Sequence, residues 1–105
     1  EQVFLVDARK VGANLTAFVA ITTPGHSTEW LDGFHAAVVN FPEVVEFYRM
    51  SGQVDYLLRV VVSDMDAYDA FYKKLIGSTK LKDVSSTFAI EQIKFTNKLP
   101  VTVVD

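Results

Sequence analysis

The segment Met50-Ser51-Gly52-Gln53-Val54-Asp55-Tyr56 carries the residue types best suited to hold a small molecule. Gly52 and Gln53 sit where a tight turn would expose backbone amides, and such amides bind carboxylates. Asp55 beside them offers a negative charge to an ammonium group. Together they match the two ends of a zwitterion. A plainer account competes: Gly52 makes the turn and Asp55 only solvates it.

The remaining reactive residues point to less. His26 and His35 are the only histidines, and neither has a carboxylate or second histidine at the helical spacing a metal or haem site needs. Asp64, Asp66 and Asp69 read as an acidic helix start, favoured by the helix dipole, because no calcium loop with a terminal Glu follows. Serines 27, 51, 63, 78, 85 and 86 stand in no G-x-S-x-G setting. No glycine-rich phosphate loop occurs. Trp30, Phe34 and Phe41, like Tyr68, Phe71 and Tyr72, fit a protein core better than a platform for stacking bases. These residues predict no enzyme, no metal and no cofactor.

Positioning the hairpin segment takes strands on both sides of it. Val44 to Met50 and Tyr56 to Val62 are rich in β-branched and aromatic residues. Closing them on a two-residue loop at Gly52-Gln53 suits a type II′ turn. It sets Glu46 opposite Arg59, Tyr48 opposite Leu57 and Met50 opposite Asp55, with opposite charges paired across the strands. Leu15 to Ile21 reads as an earlier strand, stopped by Pro24-Gly25. A helix follows, capped by Ser27 or Thr28, with Trp30, Leu31, Phe34, Val38 and Phe41 forming its apolar stripe. Pro42 ends it. A second helix is capped by Ser63 or Asp64, carries Met65, Tyr68, Phe71, Tyr72, Leu75 and Ile76, and ends at Gly77. Val84 to Phe95 reads as a last strand, with a bulge or a bend near Glu91-Gln92 where its apolar phase shifts. The tail Leu99 to Val104 is apolar enough to add another.

This order is β-α-β-β-α-β, an α+β ferredoxin-like sandwich with two helices on one face of an antiparallel sheet. The strands Leu15 to Ile21 and Tyr56 to Val62 are apolar on both sides, whereas a sheet with one wet face should alternate. The second face is therefore expected to pack against another subunit, most simply in a two-fold dimer.

Composition bounds the rest. The 105 residues suffice for one domain, and a net charge of −3 with ten scattered Lys and Arg argues against nucleic-acid binding by this segment. There is no cysteine, so disulfide and thiol chemistry are excluded. No apolar run approaches the ~18 residues of a membrane span, and no signal peptide opens the chain, so a cytoplasmic location is expected. The first residue is Glu1 rather than Met. Residues 1–13 are read as a linker strand from a missing upstream segment, and residues 14–105 as the domain.

The chain resembles the C-terminal effector domain of the Lrp/AsnC, or feast/famine, transcription regulators. The match is carried by Gln2 to Asp7, Val11-Gly12, the run Phe47 to Val60 with its G-x-x-D-Y hairpin, Asp64, Tyr68, Ser86 to Ala89, Ile93-Lys94 and Leu99-Pro100. The family commonly has an acidic or small residue and then an aromatic where this chain has Gln53 and Val54. The segment Gly77 to Asp83 also lacks the family's proline-glycine loop, and there is no helix-turn-helix.

The resemblance implies a domain that dimerises through its sheet, assembles further into tetramers or octamers, and binds a small effector, usually an amino acid, between dimers. Its implied contacts are Met50, Ser51, Gly52, Val54, Asp55 and Tyr56 on the hairpin, with Ser86, Thr87 and Glu91 from a neighbouring subunit. DNA would be met only through a missing N-terminal domain. Two rivals share the same element order. One is a small dimeric α/β-barrel enzyme of monooxygenase or isomerase type, which would place His35 with Tyr48 or Tyr68 in an enclosed pocket. The other is a purely structural oligomerisation module.

Overall fold

The computed structural model describes residues 15–24, 27–98 and 100. The expected linker strand over residues 1–13, His26 and nearly all of the apolar tail lie outside them. Six elements follow in the expected order: β1 Leu15–Thr22, α1 Thr28–Val39, β2 Val44–Arg49, β3 Tyr56–Val62, α2 Met65–Ser78 and β4 Asp83–Ala89. The sheet has four strands in the order β2-β3-β1-β4, and every pairing is antiparallel. This is the ferredoxin-like βαββαβ arrangement.

Local chemistry accounts for the element starts. The Ser27 hydroxyl caps α1 by accepting from the Trp30 N–H at 3.2 Å, and the Asp64 carboxylate caps α2 by accepting from the Ala67 N–H at 2.8 Å. Two ends differ from the sequence reading. Gly77 does not end α2, which runs on to Ser78, where the Ser78 hydroxyl donates to the Leu75 carbonyl and the chain turns extended at Thr79. The last strand stops at Ala89 rather than Phe95, and Ile90 and Ile93 are 98% and 88% exposed. Ala89, paired with Thr16, is the last residue of β4 in this ladder. The apolar phase shift marks the end of the strand and a bend at Ile90, the bend rather than the bulge of the two expected alternatives.

The hairpin register is the expected one: Glu46 faces Arg59, Tyr48 faces Leu57, and the Met50 N–H donates to the Asp55 carbonyl at 2.9 Å. A bulge interrupts β2 between Val44 and Glu46.

The core lies between sheet and helices. Ala17, Val19 and Ile21 from β1 and Tyr56, Leu58, Val60 and Val62 from β3 meet Phe34 and Val38 of α1 and Tyr68, Phe71 and Leu75 of α2. Met65 and Ile76, counted in the α2 stripe from sequence, are exposed. Phe34 is the hub on the α1 side: Trp30 stacks on it at 5.0 Å, and Phe47 and Tyr56 pack at 5.8 and 5.0 Å. The opposite sheet face carries Phe18, Ala20, Leu57, Arg59 and Tyr48, and no element of the chain packs on it among the described residues.

Candidate functional site

Arg49 pairs with Tyr56, Tyr56 with Ile21, and Ile21 with Val84, so these residues form one row across the sheet. Beyond that row emerge the β2–β3 hairpin, the turn after β1 and the loop into β4. Met50, Ser51, Gly52 and Gln53 are exposed at the tip, and Val54 and Asp55 are half-buried. Gly52 adopts φ +122°, a conformation that L side chains rarely adopt, with nothing within 4 Å of where a Cβ would stand. The tip is thus a glycine-shaped bend with open space around it.

Asp55 does more than solvate a turn. Its N–H donates to the Ile21 carbonyl at 2.9 Å, extending the β1–β3 ladder past Tyr56. Its Oδ2 accepts from the Thr23 N–H at 2.8 Å and from the Thr23 hydroxyl at 3.1 Å. Thr23 is only 7% exposed, so these bonds are partly shielded from water and correspondingly strong. The sequence reading missed Thr23. The signal was long-range: Thr23 stands two residues past Ile21, beside Asp55, and only the β1–β3 register reveals it.

Tyr56 points inward. It is 4% exposed, and its hydroxyl is hydrogen-bonded to His35 Nε2 at 3.1 Å. The His35 imidazole also sits edge-on to Phe47 and Tyr56, each at 5.5 Å. Ser86, Thr87 and Glu91 do not join the hairpin within one chain. They belong to β4 or follow it, at the edge of the sheet opposite β2. Ser86 pairs with Val19 and shares its helix-side face, hydrogen-bonded to the Tyr68 hydroxyl. Thr87 pairs with Phe18 on the other face, and Glu91 is exposed beyond the strand.

Among the described residues, the side chains of His35, Tyr48 and Tyr68 have separate partners. His35 bonds to Tyr56 on the α1 flank, Tyr48 donates to Glu46 at 3.0 Å, and Tyr68, on the buried side of α2, bonds to Ser86 of β4. Among the described residues no group of His, Asp or Glu could hold a metal ion, and no helix is long and apolar enough to cross a membrane.

Residues 16–99 match the family model for the Lrp/AsnC ligand-binding domain. The chain belongs to the Lrp/AsnC family. It is 52% identical to the DNA-binding transcriptional activator DecR of Escherichia coli over 101 residues, covering 95% of this chain and 66% of DecR. It is 45% identical to the glutamate uptake regulatory protein of Zymomonas mobilis over 100 residues, covering 95% of this chain and 61% of that protein. These members are transcription regulators, not enzymes.

Solved Lrp/AsnC structures agree in fold. An AsnC-family regulator from Agrobacterium tumefaciens superposes with a TM-score of 0.84 at 62% identity, over 90% of this chain and 61% of the other. A transcriptional regulator from Neisseria meningitidis, in complex with L-methionine, superposes with a TM-score of 0.81 at 30% identity, over 89% of this chain and 60% of the other. The chain therefore spans between 60% and 66% of the length of each of these four relatives.

Proposed function

We propose that this domain binds a free amino acid or close analogue at the β2–β3 hairpin tip and couples that binding to the assembly of subunits. The observation that carries the proposal is the tip itself: a glycine bend exposing its backbone beside a carboxylate held in place by Thr23. Turn amides suit the carboxylate of an amino acid and Asp55 suits its ammonium. Met50 and Val54 flank both with apolar surface, which fits a side chain such as that of methionine. The L-methionine complex of a 30% identical relative supports the same class of effector.

The assembly rests on the uncovered sheet face, where a second copy would bury Phe18, Ala20 and Leu57. With β4 on the far edge from the hairpin, Thr87 and Glu91 serve a neighbouring subunit's tip rather than their own. Ser86, turned toward Tyr68, supports β4 from beneath. In a complete regulator, working in the cytoplasm, a helix-turn-helix outside this segment would meet DNA. Effector binding would then change how the paired DNA-binding units are presented, to the extent of its differential affinity for one assembly.

The test is a thermal-shift screen of the twenty common amino acids, read alongside mass by light scattering. An amino acid at a hundred times its Kd stabilises by about 2.7 kcal/mol, which raises Tm by several degrees. A selective shift with a change in mass is expected. A stable oligomer that responds to no amino acid would leave the structural oligomerisation module as the better account.

A further inference from the structure

We infer that Thr23 is a positioning residue of the hairpin-tip site: it fixes the Asp55 carboxylate and ties the tip to the turn after β1 without contacting the effector. The inference rests on the amino-acid reading for its binding arm, but its structural arm stands alone.

The turn between Arg49 and Tyr56 has little local means of holding one shape. Its bend depends on Gly52, the residue that loses most freedom on ordering, and Ser51, Gly52 and Gln53 are exposed. Order must come from the returning arm. There the bonds of Asp55 to β1's end include its N–H to the Ile21 carbonyl, and its Oδ2 to the N–H and hydroxyl of Thr23. The bonds to Thr23 need the carboxylate, and one of them needs the threonine hydroxyl.

The same carboxylate is the group proposed to meet an ammonium ion. A free aspartate would lose rotamer entropy on binding, whereas one already clasped by Thr23 enters the complex in its bound orientation. Thr23 thereby sets affinity through Asp55 from the side of the carboxylate turned toward β1.

The experiment compares wild type, Thr23→Val, Thr23→Ser and Asp55→Asn by amide hydrogen exchange without added amino acid and by calorimetric titration with L-methionine. Valine keeps the shape and the backbone N–H but removes the hydroxyl donor. In Thr23→Val, exchange of the Met50 and Asp55 amides should accelerate about tenfold, the scale of one hydrogen bond to a charged group, while core amides such as Val19 and Leu58 keep wild-type rates. Its Kd for L-methionine should rise by a similar factor, and Thr23→Ser should restore both. Asp55→Asn retains an acceptor oxygen but no charge, so it should protect the tip better than it binds L-methionine.

Wild-type exchange at the tip of Thr23→Val overturns the inference, as does acceleration spread evenly through the core. Unchanged affinity in Thr23→Val, with L-methionine bound normally by wild type, overturns the positioning role alone. Absence of binding by wild type counts against methionine as the effector, and the exchange arm still decides whether Thr23 holds the tip. If Thr23→Val does not fold, tip exchange in Asp55→Ala, which has no acceptor for Thr23, decides it: wild-type rates at the tip would overturn the clasp.

Discussion

Tyr68 shows how one hydroxyl is spent on the fold rather than on a ligand. Burial on the inner side of α2 pushes its pKa up, the hydrogen bond with Ser86 pulls it back down, and the nearby Tyr72 raises it again; the net direction is up from the ordinary value of 10.0. The folded protein therefore binds this proton more tightly than the unfolded chain. Its contribution is fully present below pH 10 and is lost as pH rises through the folded pKa. Tyr68→Phe should unfold at lower urea near neutral pH, by about 1 kcal/mol for the lost bond, yet lose less stability than wild type between pH 9 and 11. Some alkaline loss persists, because the Tyr48 hydroxyl, donating to Glu46, is also held up. Parallel urea curves at the two pH extremes check this, and equal alkaline slopes in both proteins would refute it. The same residues mark what the chain alone left hidden. Ser86 and Tyr56 lie in segments that match the family, but alternation along β3 and β4 turns both inward, toward Tyr68 and His35. Asp55 was legible as a charged group at a turn, whereas its clasp by Thr23 joins residues 32 positions apart, beyond the reach of any local pattern.

The hairpin and the helices test glycine in opposite senses. Gly52 at φ +122° has nothing within 4 Å of its missing Cβ, so Gly52→Ala pays backbone strain with no packing in return, about 1–3 kcal/mol. Gly33 lies inside α1, also with nothing within 4 Å. There Gly33→Ala should stabilise by about 0.5–1 kcal/mol, because alanine has less freedom to lose and keeps helical geometry. Urea midpoints for the two variants should move apart in opposite directions; a shift of the same sign in both would show that backbone conformation is not what sets these positions. Elements with strong local signals were legible. Asp64 and Ser27 announced their helices, and the Glu46–Arg59 pair fixed the hairpin register two strands deep. Element ends were not. β4 was overread because Ile90, Ile93 and Phe95 look like strand residues, but where a strand stops depends on long-range pairing, here of Ala89 with Thr16 some seventy positions back along the chain.

At the scale of the molecule, the uncovered sheet face is where the proposed assembly can be tested. Phe18 is 38% exposed in the middle of this face. Beside it the Arg59 guanidinium pairs with Glu46 through two of its nitrogens, Nε to Oε1 at 3.1 Å and Nη2 to Oε2 at 3.3 Å. The geometry is bidentate, so the face can be covered without leaving a charge unpaired. Arg59 is already only 16% exposed on its side chain, against 40% for Glu46. Covering by a second copy would take the pair from the surface regime, worth about 0–1 kcal/mol, to the buried one, where removing one partner costs roughly 3–5 kcal/mol. Glu46→Ala should therefore leave the isolated subunit nearly as stable as before while raising the dimer dissociation constant by orders of magnitude. Phe18→Lys should do the same by placing a charge where apolar area is buried. Light scattering across a dilution series, with urea stability measured well below the dissociation constant, separates the two effects. Mass halving in both variants at unchanged subunit stability places the interface on this face. Wild-type mass in both, or a loss of subunit stability equal to the loss of dimer, would move the assembly elsewhere on the molecule and leave the apolar sheet face without the partner its composition calls for.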